Sequence, residues 1–260
     1  MPQLEHTTQF PEFEVTIGGT TLTQKDSGGL VNLVVEDHVD MMGMAQITVD
    51  TGHLSEGQDF SSFKIGDEVK ASFGGGGGNA FVGLITGMRH AWRDGSQTVT
   101  ITAMDPTSKL AASRHTQTFE SMTDSEIFEK VVGDAGLEVG KVDATSGASD
   151  HVAQRNESDL NFLKRLAARN GYQVMSTEGK IDFIKPSFTG DTIEVDRSKL
   201  TSMDFEFSDQ QIPAELTVIG WDPVTKAKVE GTATKADIES MGSGEGAVDK
   251  TGPVWSGTSY

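Results

Sequence analysis

The strongest constraint on the fold is the rhythm of turn chemistry over the first hundred residues, where short apolar segments are repeatedly stopped by glycine or aspartate. Phe13-Glu14-Val15-Thr16-Ile17 alternates apolar and polar side chains before Gly18-Gly19, and Val31 to Val35 follows the turn Asp26-Ser27-Gly28-Gly29. Alternation with a period of two is the pattern of a half-buried strand. Ala45 to Val49, Val69 to Phe73, Ala80 to Ile85 and Thr98 to Ala103 are predicted as further strands, spaced as in a sandwich or barrel. Ile65-Gly66-Asp67-Glu68 opens one of them. The glycine run Gly74 to Gly78 with Asn79 marks a hairpin tip, because glycines lose too much entropy inside a strand.

After Asp105-Pro106 the pattern changes, and a helix is predicted from Thr123. Thr123-Asp124-Ser125-Glu126 is a capping box, in which the Thr side chain and the Glu three residues on satisfy each other's free amides. Ile127 with Val131 and Phe128 with Val132 form one apolar stripe, and Gly133 or Gly136 supplies the stop. A second helix is predicted from Asn156, with Glu157 and Asp159 where the macrodipole favours negative charge. Lys164, Arg165 and Arg169 load its C-terminal half, Leu160, Leu163, Leu166 and Ala167 form its apolar face with Phe162 on the flank, and Gly171 ends it. Strands then return: Tyr172 to Ser176 and Gly179 to Ile184 form a hairpin about Thr177-Glu178-Gly179. Glu215 to Trp221 is another strand, with Lys226 to Val229 pairing back across Asp222-Pro223. Ser240 to Gly257 is too rich in Gly, Ser, Asp and Thr to offset ordering entropy by burial, and reads as a mobile or partner-dependent tail.

Charge and composition exclude several functions. The chain of 260 residues carries 39 acidic against 21 basic side chains, a net charge of −18 that repels nucleic-acid phosphates, so no nucleic-acid binding by its own surface is expected. There is no cysteine, which removes disulfides, thiolate metal sites and cysteine nucleophiles. No apolar run approaches the ~20 residues of a membrane helix, and the N-terminus lacks a secretion signal, so no integral membrane segment is expected.

Catalytic patterns are equally lacking. The six histidines are scattered singly, with no His at i+4 of another, and read as surface residues. Ala135 to Val142 has the outline of a phosphate loop but lacks its first glycine and its magnesium-binding hydroxyl. Gly147-Ala148-Ser149 lacks the strand-turn-helix setting of a nucleophile elbow. Met41, Met42 and Met44, beside a strand, read as edge or core packing. The expectation is a protein with no catalytic residues, no metal and no cofactor.

One segment carries more. Gln154-Arg155-Asn156-Glu157-Ser158-Asp159-Leu160-Asn161-Phe162-Leu163-Lys164-Arg165-Leu166, closed by Gly171, resembles the signature of the tail-hub family. That family includes phage late control protein D, the hub part of VgrG spikes and the spike-hub proteins of extracellular contractile injection systems. Two weaker echoes fall in the family's order: Gly66 and Val69 ahead of Phe81 and Gly83, and Trp221-Asp222-Pro223. The signature describes a capped helix followed by a hairpin, a packed element rather than a reaction centre.

The resemblance implies a mainly β protein with an α+β connecting domain and two related antiparallel β-barrel domains. Residues 1–105 would be the first barrel, 106–200 the connecting domain with two short helices, and 201–260 strands of the second barrel with a flexible tail. It further implies a homotrimer whose six barrels form a pseudo-sixfold ring between a hexameric tube and a threefold spike. Partners would be the chain itself, the inner-tube ring, a spike or needle tip protein and other baseplate proteins. Assembly would take place in the bacterial cytoplasm, into a virion tail or an injection particle that is released. Family members usually continue through the second barrel into further domains, so here that barrel is reduced, completed by another chain, or part of a longer spike. The acidic surface fits a basic partner ring, a solubility device or a high-salt adaptation alike. Other readings are a late control D protein with a separate needle, a hub fused to or acting as an envelope hydrolase, and a secreted carbohydrate-binding β protein. The last should present several aromatics on one face, and 3 Trp and 2 Tyr are few for sugar stacking.

Overall fold

The computed structural model describes residues 13–23, 29–38, 41–50, 52, 63–73, 78–93, 95–187, 202, 204 and 215–234. The chain divides into two compact units, Met1–Pro186 and Ser187–Tyr260. The fold is mainly β, with a curled antiparallel half-barrel sheet and few helices.

In the first unit, β1 (Phe13–Ile17), β2 (Thr20–Thr23), β3 (Leu30–Glu36), β4 (Met44–Asp50), β5 (Glu68–Phe73), β6 (Phe81–Arg93) and β7 (Ser96–Met104) form one antiparallel sheet. Its order is β2-β1-β5-β6-β7-β4-β3. The alternation in the sequence sets which face is covered: Val15 and Ile17, Ala45, Ile47 and Val49, Val69 and Ala71, and Val99, Ile101 and Ala103 all point to one core. Phe63 closes it. Two elements depart from expectation. β2 is an additional short strand, and β6 runs to Arg93, well past the predicted end at Ile85, because the ladder with β7 continues through a register shift between Ile85 and Gly87. The glycine run from 74 to 77 lies outside the described residues, as does the tail from 240 to 257.

Met41 and Met42 lie in the connection before β4 and are exposed, Met41 by 65%, so they do not pack in the core. The reason is register: Ala45, Ile47 and Val49 already take the inward positions of β4.

The same unit holds a second core, built by α1 (Thr107–Ala112), β8 (Arg114–Phe119), α2 (Asp124–Asp134), β9 (Val139–Val142), β10 (Val152–Ser158), α3 (Asp159–Asn170), β11 (Gln173–Thr177) and β12 (Lys180–Ile184). The capping box opens α2 as its sequence requires: Glu126 N donates to Thr123 Oγ1 at 3.3 Å, and Thr123 N donates to Glu126 Oε2 at 2.8 Å. The Thr123 N–H, joined by the Thr123 hydroxyl donating to the same oxygen at 2.9 Å, holds the Glu126 carboxyl below its usual range. Gly136, at φ 66°, provides the left-handed stop, with Gly133 inside the helix. The hairpin β11-β12 turns through Glu178 and Gly179, both at positive φ as a two-residue hairpin turn requires. β9 joins β12 in parallel, making a three-stranded sheet over the helices.

In the second unit the described elements are β13 (Glu215–Asp222) and β14 (Ala227–Thr234), paired antiparallel. Asp222 shapes the turn: Val224 N donates to its Oδ1 at 2.8 Å and Thr225 Oγ1 to its Oδ2 at 2.5 Å, which lowers the carboxyl pKa.

Candidate functional site

The junction between β10 and α3 gathers the signature residues. The helix does not begin at Asn156. β10 continues to Ser158 because it pairs with β8 as far as Ser158↔Arg114, and a register shift between Arg155 and Glu157 leaves Asn156 as the extra residue of a bulge, at φ 48°. Asn is among the few residues that tolerate that conformation. Its backbone is held on both sides: Asn156 N donates to Thr116 Oγ1 at 3.1 Å, and Arg114 NH1 donates to Asn156 O at 3.0 Å. Ser158 is the cap, accepting from Asn161 N at 3.3 Å.

Beneath the bulge lies a buried polar relay. Gln154 is fully buried; its Nε2 donates to Asp159 Oδ1 at 2.8 Å and to Glu157 O at 3.1 Å, while its Oε1 accepts from Gln117 Nε2 at 2.8 Å. His115 Nδ1 donates to the same Asp159 oxygen at 2.9 Å. The first turn of the helix is thereby tied to both strands. Phe162, Leu163 and Leu166 are fully buried, and Phe162 stacks on Phe119 with centroids 5.5 Å apart, so it is a core residue rather than a flank. Gly171 ends the helix at φ 67°.

On the outer side, Arg165 spans strand and helix. Its NH2 donates to Ala153 O at 2.9 Å and to Glu157 Oε1 at 2.7 Å, and its guanidinium sits 5.2 Å from the centroid of the Phe162 ring. One turn on, Arg169 and Asn170 clasp the buried carboxylate of Asp124, tying α3 to the start of α2. Between β10 and the arginines of α3 opens a groove of about 510 Å³, lined by His151, Val152, Ala153, Arg155, Glu157, Arg165 and Arg169. Sequence reasoning missed it. Arg165 and Arg169 satisfied a macrodipole pattern, and only the tertiary crossing of β10 and α3 brings Arg155 beside them.

The residues of the weaker echoes are placed apart from this junction. Gly66 takes φ 93° in the turn before β5, where its N–H donates to Ile85 O at 2.9 Å. Val69 and Phe81 are buried in the sheet core, and Gly83 is packed so closely that a Cβ would lie 2.4 Å from Met104 O. Trp221 is 66% exposed on β13, and Asp222 and Pro223 form its turn. The register of this ribbon sorts its residues: Leu216, Val218 and Gly220 share a face with Ala233, Gly231 and Val229, while Glu215, Thr217, Ile219 and Trp221 lie on the other with Thr234, Thr232, Glu230 and Lys228. The face with Leu216, Val218 and Val229 is open, Val218 being 61% and Val229 55% exposed, and Ile219 and Trp221 are exposed on the opposite one. Among the described residues no three His, Asp or Glu side chains converge as a metal site requires, and no helix is long and apolar enough to cross a membrane.

This arrangement, an antiparallel half-barrel followed by a helix-hairpin module, is the fold of phage tail proteins. It matches the tail protein from Neisseria meningitidis MC58 with a TM-score of 0.61 at 13% identity, over 88% of this chain and 68% of that one. The 43 kDa tail protein of prophage MuSo2 from Shewanella oneidensis gives 0.63 at 16% identity, over 88% and 70%. The prophage tail protein gp18 from Listeria monocytogenes EGD-e gives 0.52 at 14%, over 95% and 71%. The chain belongs to the Alg8 N-terminal domain family, whose model matches residues 7–248. No curated protein matches it.

Proposed function

We propose that this protein is a structural baseplate hub of a contractile phage tail or injection particle, acting as a homotrimeric, pseudo-sixfold adaptor between a hexameric tube and a threefold spike. The observation that carries the reading is the shared fold: half-barrel, helix-hairpin module and following ribbon occur in one chain with the architecture of three tail proteins. Residues 1–105 act as the first barrel of the ring, 106–200 as the connecting domain, and 201–260 contribute strands to the second.

The role asks for rigid elements and interfaces and needs no catalysis, metal or cofactor. The β10-α3 junction supplies rigidity, because its buried polar atoms are all partnered. The ribbon supports assembly: a two-stranded hairpin is marginal alone in water, and one with a solvent-facing row of Leu216, Val218 and Val229 gains by being covered. Its partners are further copies of itself, the inner-tube ring, a spike or needle tip protein and other baseplate proteins. Its location is the assembled virion tail or released particle.

Electron-microscopic class averages of the purified protein test this. Ring-shaped particles with threefold symmetry and six similar lobes are expected, and single, unringed particles at all concentrations would refute the hub.

A further inference from the structure

In a chain of net charge −18, the groove between β10 and α3 is lined by Arg155, Arg165 and Arg169 against the single carboxylate Glu157. Its volume falls within the ~300–1,000 Å³ of small-ligand sites. The three cations are not equally committed. Arg169 is taken up by Asp124 at the far end, and Arg165 spends one nitrogen on Ala153 O and Glu157 Oε1. Arg155 is exposed and makes no ion pair with any described residue, so its planar fork of donors is available to a carboxylate.

The backbone adds a second recognition element. β10 pairs only with β8 among the described strands. Ala153 O points to α3, since Arg165 donates to it, and in an antiparallel ladder a residue's N–H and C=O point the same way. The edge at Ala153 and Arg155 therefore faces the groove, above a floor that includes the buried Val152. The Ala153 carbonyl of this edge is already held by Arg165, and the strand's outward flank beside Arg155 matches an extended peptide that carries carboxylates.

We infer that this groove is a docking site for an acidic, extended peptide segment of a partner protein, with Arg155 as its principal anchor. Polynucleotides also carry negative charge, but the acidic remainder of the surface repels a long phosphate chain, whereas a short segment stays within the groove. The groove is built only from this chain's own residues and is present whether or not the hub assembles as a trimer.

The test is fluorescence anisotropy with the purified full chain and a labelled peptide alternating glutamate and alanine, beside the same peptide with lysine for glutamate and a single-stranded oligonucleotide of equal charge. Saturable binding of the glutamate peptide alone is expected, weakening with salt and falling about tenfold or more in Arg155→Glu, a loss of ~1.4 kcal/mol. Arg155→Gln should show an intermediate loss, and both variants should keep the wild-type melting temperature, because Arg155 holds no described partner. Equal binding by wild type and Arg155→Glu, preference for the oligonucleotide, or no binding of the glutamate peptide would overturn the proposal.

Discussion

Gln154 Nε2 donates to Asp159 Oδ1 at 2.8 Å, joining the strand before the bulge to the first residue of α3. Both side chains are buried, and this bond together with the one from His115 Nδ1 supplies the carboxylate with protein donors in place of water. Gln154→Leu keeps the approximate volume and removes the donor to Asp159 and the acceptor for Gln117. A loss of about 1–3 kcal/mol is expected in urea unfolding. A change within about 0.5 kcal/mol would mean that the junction relaxes around the loss.

Leu163 lies at the centre of the apolar face of α3 and is fully buried. Leu163→Ala should cost about 2–5 kcal/mol. A loss below about 0.5 kcal/mol would show that the face is not packed in solution.

The two glycines of the first echo are needed for different reasons. At Gly83 an added Cβ meets the Met104 carbonyl oxygen at 2.4 Å and the Phe81 ring at 2.6 Å, neither of which is a free end that swings aside. At Gly66 an added Cβ has open space, and only the φ of 93° opposes it. Gly66→Ala should cost about 1–2 kcal/mol through backbone strain alone, and Gly83→Ala more, because a strand or a ring must move. Melting temperatures of the two variants check the order, and a milder effect at Gly83 would contradict the close packing of β6 on β7.

Asp105 links the two cores of the first unit. It accepts from Gly43 N at 2.9 Å and from Thr107 N at 2.9 Å, and burial raises its pKa against the opposing pull of these bonds. A carboxyl whose folded pKa exceeds its unfolded value holds more protons when folded, so its contribution to stability falls as pH rises from the ordinary aspartate pKa to the raised one. Unfolding free energies of wild type and Asp105→Asn should therefore differ by an amount that shifts against wild type as pH rises through that window. A difference independent of pH would contradict the assignment.

The strands of the first sheet other than β2, the β11-β12 and β13-β14 hairpins, the capping box and the Gly171 stop were legible because each is written locally, in alternation, in a Thr-x-x-Glu pair, or in a glycine after a basic turn, whereas β8 and β10 were not predicted. The start of α3 was not. Asn156 and Ser158 are both good caps, and the choice is made by Arg114 and His115 on β8, which extend the strand two residues further. Helix α1 escaped because no side chain of its own caps it; Asp105, before Pro106, does so by accepting from the Thr107 amide. An aspartate ahead of proline was the signal available. β9 escaped because Val139 to Val142 has no independent reason to be extended until β12 pairs with it.

The most direct test of the hub account is the solution mass of the polypeptide, by light scattering after gel filtration over a wide concentration range. The account requires a stable species near three times 27.8 kDa that does not dissociate on dilution. A monomer at every concentration would contradict it.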